Sequence, residues 1–313
     1  MKLIFNIYEN VKFNKIILLN NNKLAACAND GNVYIYSYFN ANPKNDDFKD
    51  YHFNKFCCIK ITDYGEVRDI IETDDGNIIT CGEDGSVNII TIWKNNAFFV
   101  NGGKPTDYGI NTILKLSDAN YITGSDDGYL YIFKYQVKDT SLEMIKAIFL
   151  HYQILSIYKC INDELAACIF EKCINHVNKC SLRFYDKNYQ LITIIKLDNL
   201  VLGQKLEKIN EYTLIIGNGE KTLIINLKNH SILNIINLNR INIFLKFNEN
   251  LLLGGDQNLN IYLYEIKNNN FILQTQIIGY FPFKSNSINS IIKFNEKIFI
   301  ICGPDGNIFF FEK

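Results

Sequence analysis

Residues 78–90 read as an apolar run, a polar Asp84-Gly85 turn and a second, alternating run, and the same hydrophobic pattern returns at residues 24–36, 121–133 and 300–311. Each stretch predicts a tight β-hairpin, because Gly accepts a positive φ and Asp tolerates one. The turn pairs are Asp30-Gly31, Asp84-Gly85, Asp127-Gly128 and Asp305-Gly306, and Asp256 reads as a further copy of the turn aspartate. Ahead of the hairpins recurs a stretch with the character of an inner strand. Its copies are Phe13-Asn14-Lys15-Ile16, Val67-Arg68-Asp69-Ile70, Ile110-Asn111-Thr112-Ile113, Ile154-Leu155-Ser156-Ile157, Ile241-Asn242-Ile243-Phe244 and Ile288-Asn289-Ser290-Ile291, with residues 203–206 as a degraded one. Polar turns such as Asn210-Glu211, Asn248-Glu249 and Asn295-Glu296 lead from these into the next apolar run.

Aligned on the turn position, the hairpins fall at Gly31, Gly85, Gly128, Cys180, Lys221, Gln257 and Gly306, a mean spacing of about 46 residues. That is close to the period of one four-stranded propeller blade, and seven copies fit 313 residues. The expected fold is all-β, a seven-bladed β-propeller of four-stranded antiparallel blades in one domain over residues 1–313. Its blades fall at approximately 11–60, 67–100, 110–150, 154–196, 203–236, 241–278 and 288–313, the last completed by residues 1–9. Residues 3–7 read as a lone strand, whereas the last unit ends after its third strand at Phe309-Phe310-Phe311, so the N-terminal strand is expected to close that blade and remove exposed sheet edges. Residues 39–53 lengthen the loop from third to outer strand in the first unit, and residues 170–179 lengthen the hairpin of the fourth, on the opposite face. A small residue stands four positions before the turn position in Cys27, Cys81, Gly124, Gly217 and Cys302, as expected where neighbouring sheets approach closely.

These repeats resemble WD40-type β-propellers over essentially the whole chain. Leu182-Arg183-Phe184-Tyr185-Asp186 is similar to the closing strand of that family with Tyr in place of Trp, and the aspartate of the second hairpin turn is kept at Asp30, Asp84, Asp127 and Asp305. No Gly-His pair precedes any inner strand, and Trp93 stands three residues past the family position. The His-centred hydrogen-bond network of typical repeats is therefore missing, which leaves apolar packing to hold the blades together. The resemblance implies a non-catalytic scaffold or adaptor that binds protein or peptide partners within a multiprotein complex.

Composition limits the alternatives. Apolar residues make up 48% and aromatics 13%, enough for a large core, while a net charge of −1 gives no broad positive field, so nucleic acid is disfavoured as a partner. No membrane span is expected, because no run reaches the length of a membrane helix. Nine cysteines, an odd number lying mostly in strand-like runs, read as buried reduced thiols, which points to the cytoplasm, with the nucleus as an alternative. The abundant asparagines read as compositional drift and receive no functional weight.

Cys168, Cys173, His176 and Cys180 have the side-chain types that Zn²⁺ accepts, but their spacing fits no standard zinc motif, so no metal is assigned. His52, His151, His176 and His230 stand in no nucleophile or base motif, and no helix follows Gly102-Gly103-Lys104-Pro105 to form a phosphate-binding loop. No enzyme and no cofactor are expected, and a small-molecule ligand is disfavoured; the alternative function is a ligand-binding or enzymatic propeller that uses the mouth of the central channel. The loops entering the inner strands carry a periodic aromatic signal instead. Asp63-Tyr64-Gly65, Asp107-Tyr108-Gly109 and His151-Tyr152 are spaced by 44 residues, and Tyr280-Phe281 occupies the corresponding place before the seventh inner strand. One period apart places them around one mouth of the channel. The candidate partner-binding residues are therefore Tyr64, Arg68, Tyr108, Tyr152, Arg240, Tyr280, Phe281 and Lys284, and the cations Arg68, Lys104, Arg240 and Lys284 suit an acidic or carboxylate-bearing peptide.

Overall fold

The computed structural model describes residues 1–42, 48–93, 96–100, 102–117, 119–174, 177–198, 206–218, 221–238, 241–256, 258–267, 270–277, 288–303 and 306–313. The alternating apolar runs form seven four-stranded antiparallel sheets, blades 1 to 7, each ordered from inner to outer strand. Blade 1 consists of Phe13–Leu19, Lys23–Ala28, Asn32–Asn40 and Tyr51–Lys60, and blade 2 of Val67–Glu72, Ile78–Gly82, Val87–Trp93 and Asn96–Val100. Blade 3 follows as Ile110–Ser117, Asn120–Ser125, Tyr129–Gln136 and Ser141–Phe149, and blade 4 as Gln153–Lys159, Leu165–Ile174, Val177–Tyr185 and Leu191–Asp198. Blade 5 is built from Glu207–Asn210, Thr213–Asn218, Lys221–Asn226 and Ser231–Ile236, and blade 6 from Ile241–Asn248, Leu251–Asp256, Ile261–Lys267 and Asn270–Ile277. Blade 7 combines Ser290–Lys293, Ile298–Cys302 and Asn307–Glu312 with Lys2–Tyr8 as its outer strand. That strand pairs with Leu3 opposite Phe311 and Ile7 opposite Ile308, the expected closure.

Second strands are apolar on both faces because each blade is sandwiched between two others. In blade 1, Leu24, Ala26 and Ala28 pack against blade 7 while the alternate residues Ala25 and Cys27 pack against blade 2. The register extends the small-residue series to every blade. Cys168 of blade 4 and Gly255 of blade 6 pair with their neighbours as Cys27, Cys81, Gly124, Gly217 and Cys302 do, although the sequence alignment missed both. The reason is a side chain from the next blade. A Cβ on Gly124 would lie 2.5 Å from Ile154 Cγ2, and one on Gly255 3.0 Å from Ile288 Cβ, so in blades 3 and 6 the residue at the entry to the following inner strand seats over this position.

Three hairpins depart from the sequence alignment. In blade 5 Lys221 is not the turn but the first residue of the third strand, paired with Asn218. In blade 6 the turn position is Leu259, at φ +62°, two residues beyond Gln257, a position that lies outside the described residues. Asp256 makes this affordable by accepting the backbone N–H groups of Asn258 and Asn260, each at 2.8 Å, and the Tyr262 hydroxyl at 3.0 Å. In blade 4 the ladder continues past Cys180 to Ile174 opposite Val177, so the hairpin is long, as expected, but its turn is not at Cys180. The turn position Asp305 in blade 7 lies outside the described residues.

The insertion after the third strand of blade 1 covers the closure seam. A short 3₁₀ turn, Phe48–Asp50, returns the chain so that the rings of Phe48 and Phe53 lie 5.3 and 4.6 Å from that of Phe310, and Phe5 of the closing strand lies 5.5 Å from Phe53. Aromatic rings at these separations add attraction beyond their buried area.

Deleting residues 1–9 removes the outer strand of blade 7 and bares the Asn307–Glu312 edge beneath these rings, so the truncated protein should aggregate where the intact chain does not, as read by light scattering. A truncated protein that stays monomeric would contradict the closure. Gly124→Ala should lower the free energy of unfolding by about 1–3 kcal/mol through forced displacement of the stiff Ile154 side chain, measured by denaturant unfolding.

Candidate partner-binding face and channel

The turn glycines of each hairpin support the loop into the next blade. Gly31, Gly85 and Gly128 adopt φ between +75° and +84°. A Cβ on them would lie 2.4 Å from Thr62 O, 2.2 Å from Thr106 O and 2.9 Å from Tyr152 N respectively, so the aromatic loops rest directly on these turns. The loops of Tyr64 and Tyr108 share a local device: the tyrosine N–H donates to the hydroxyl of the threonine two residues before it, Thr62 and Thr106, at 3.1 Å in both. The Thr106 hydroxyl in turn donates to Asp127 at 2.6 Å, which ties the second loop to the turn of blade 3.

Three of the predicted aromatics stand at this face to different degrees. Tyr64 is 83% exposed, Tyr108 61% and Tyr152 39%. Tyr152 is partly covered because the Arg183 guanidinium lies 4.6 Å from its ring centre. Arg240, Tyr280, Phe281 and Lys284 lie outside the described residues. Arg68 is not a free cation: its Nη1 donates to Asn111 Oδ1 at 2.7 Å and to Asp126 Oδ2 at 3.0 Å, and Glu66 and Glu83 approach its other nitrogens. Lys104 pairs with Asp107 at 2.8 Å.

Beneath the mouth the inner strands enclose a polar cavity of about 640 Å³, lined by residues that include Asn14, Arg68, Asp69, Asn111, Ser156, Asn242 and Asn289. Asparagines at the second inner-strand position form a ladder around it. Asn14 donates to Val67 O at 3.0 Å, Asn111 to Ile154 O at 2.8 Å, Asn242 to Ile288 O at 3.2 Å and Asn289 to Phe13 O at 2.7 Å. Each bond reaches a residue at the entry to the next blade's inner strand, and the last crosses the closure seam. Apolar packing is therefore not alone in holding the blades, and these asparagines have a function that compositional drift does not explain. The signal was present in the sequence, because all four occupy one repeat position. Asp69, 7% exposed, joins three blades by accepting Ile70 N–H at 2.9 Å and Ile113 N–H at 3.0 Å while pairing with Lys15.

In the ring Lys15 pairs with Asp69 and Arg68 with Glu66 and Asp126, and no group of three or more His, Cys, Asp or Glu side chains suited to a metal is found among the described residues. Cys168 and Cys180 are free and buried, whereas His176 and the side chain of Cys173 lie outside the described residues. The most perturbed carboxylate, Glu207, stands on the inner strand of blade 5. Burial raises it to about 7 against the opposing hydrogen bond from Lys246 N–H at 3.0 Å. It does not line the cavity and has no histidine or second carboxylate as a hydrogen-bonded partner among the described residues, so it does not form a catalytic pair. Its folded value lies above the unfolded one, so the stability it contributes is present below pH 4.5 and is lost as pH rises through about 7. Glu207→Gln should accordingly unfold at higher denaturant concentration than the parent protein above pH 7, with the gap closing as the pH falls to 4.5.

No protein-family model matches the chain, and no curated protein matches it. Among solved structures, Sqt1 of Saccharomyces cerevisiae superposes with a TM-score of 0.72 at 12% identity, covering 100% of this chain and 99% of the other. The WD40 β-propeller domain of Doa1 gives 0.73 at 12% identity over 100% and 96%, and a chain of the mitotic checkpoint complex gives 0.72 at 11% over 99% and 94%. At these identities the likeness concerns the fold, and with seven closed four-stranded blades the chain has the architecture of a WD40-type β-propeller.

Proposed function

We propose that the protein is a non-catalytic interaction scaffold that holds a protein or peptide partner on the face carrying Tyr64 and Tyr108. The observation that carries this reading is the pair of large rings, 83% and 61% exposed, fixed on backbone-anchored loops at one channel mouth. Such rings give contact area with little rotamer entropy to lose. Membership of one similar chain in a multiprotein complex fits this role. Free cysteines such as Cys81, Cys160, Cys168 and Cys180 fit a reducing compartment, cytoplasm or nucleus, and no helix among the described residues is long and apolar enough to cross a membrane. Arg68, engaged by three carboxylates, acts here by positioning Glu66, Glu83 and Asp126 rather than by meeting the partner.

Replacing both Tyr64 and Tyr108 by Ala should cost on the order of 2 kcal/mol per ring in affinity for a partner captured from the native cell. The melting temperature should remain nearly unchanged, because neither ring is buried. A drop of several degrees with affinity lost only through unfolding would show that the rings are packing residues, and unchanged affinity would dismiss this face as the site.

A further inference from the structure

Blade 4 contains a filled version of the seat that the two preceding loops leave open. The Arg183 guanidinium lies over the Tyr152 ring at 4.6 Å, and Glu171 Oε1 accepts from the same guanidinium at 2.7 Å. An aromatic face and a carboxylate together hold one cation, supplied by the chain itself. At Tyr64 and Tyr108, among the described residues, no Lys or Arg lies over the ring.

The carboxylates, by contrast, are in place at both. A Cβ on Gly65, next to Tyr64, would lie 2.8 Å from Glu83 Oε2, and one on Gly109, next to Tyr108, would lie 2.8 Å from Asp126 Oδ2 and 2.3 Å from the Arg68 Nη1 that pairs with it, so Glu83 is the less engaged of the two carboxylates. Glu83 is half exposed; its Oε2 accepts the Glu66 N–H at 3.3 Å, and its Oε1 lies 3.7 Å from the Arg68 guanidinium, a long contact that leaves room for a second cation. Arg68 is one cation against Glu66, Glu83 and Asp126, so the mouth over blades 2 and 3 carries an excess of negative charge. This is the reverse of the acidic partner that Arg68 suggested in the sequence.

We propose that this mouth binds a basic peptide segment, with arginine or lysine side chains of the partner covering the Tyr64 and Tyr108 rings and Glu83 as their principal counter-charge. The proposal rests on the reading of this face as the partner site and adds the chemistry of the partner. Guanidinium and ammonium groups satisfy ring and carboxylate at once, whereas an acidic segment would meet Glu83 as a like charge.

The test is a displayed library of random peptides selected on the intact protein and then scored on the Tyr64→Ala/Tyr108→Ala double variant. Enrichment of Arg- and Lys-bearing peptides is expected, with affinity reduced about a thousandfold on the double variant and falling as salt is raised. Glu83→Lys should abolish their binding, and Glu83→Gln should weaken it less. Acidic or neutral peptides that depend on the two tyrosines would overturn the basic-partner proposal and leave the binding face standing. Peptides that bind both proteins equally, or a library that yields none, would overturn both. Should the double variant lose its native melting temperature, the Glu83 variants carry the test, and unchanged affinity of basic peptides for Glu83→Lys would overturn the proposal.

Discussion

The structure depends on the way the residue at the entry to an inner strand is seized by the blade before it. Its side chain seats over a Gly of the preceding second strand where Ile154 meets Gly124 and Ile288 meets Gly255, and in four cases its carbonyl accepts from the asparagine of the preceding inner strand. Apolar contact supplies most of the free energy, and the hydrogen bond fixes the depth and angle at which the strand enters. Each of the seven apolar clusters straddles two consecutive blades, blades 7 and 1 included, so no blade has a core of its own. Closure is consequently a condition for stability, and the aromatic cover of Phe5, Phe48 and Phe53 over Phe310 lies where the ring is joined.

This repeated seat also decides how the face carrying Tyr64 and Tyr108 is presented. The turn glycines stop the hairpins directly under the next loop, which leaves the loop backbone supported and its tyrosine projecting. The polar ring inside the channel has a separate task. Asp69 bridges blades 1, 2 and 3, and Arg68 bridges blades 2 and 3 through Asn111 and Asp126, so the same blades that display the open rings have the densest ionic bracing below them. Rigid support of this kind reduces the ordering cost of binding.

Charge at the face shows why a residue type is a poor guide to its role. Arg68 lines the channel cavity, yet its neighbours Glu66 and Glu83 of its own blade and Asp126 of the next engage it from different stretches, which only the packed blades bring together. Tyr152 occupies the same loop of its blade as Tyr64 and Tyr108 do of theirs, and it is the long blade 4 hairpin carrying Arg183 and Glu171 that covers it.

The sequence by itself determined the hairpins, their number and the closing strand. Asp-Gly turns and period-two apolar runs are local signals, and an N-terminal strand left over against a blade of three admits one pairing. It also marked Cys27, Cys81, Gly124 and Cys302, because a regular turn kept their distance from Gly31, Gly85, Gly128 and Gly306 constant, and Gly217 although its hairpin is shorter. Where the turn changed, the count failed: Asp256 sustains a left-handed Leu259, and the extended hairpin of blade 4 separates Cys168 from its turn. Which carbonyl each asparagine reaches, and the gathering of Asp126 with Glu66 and Glu83 around Arg68, were decided only by tertiary structure. The shared repeat position of the asparagines is legible in the chain, but the hydrogen bond from Asn289 to Phe13 O spans 276 residues and forms only when the ring closes, and no local pattern encodes that distance.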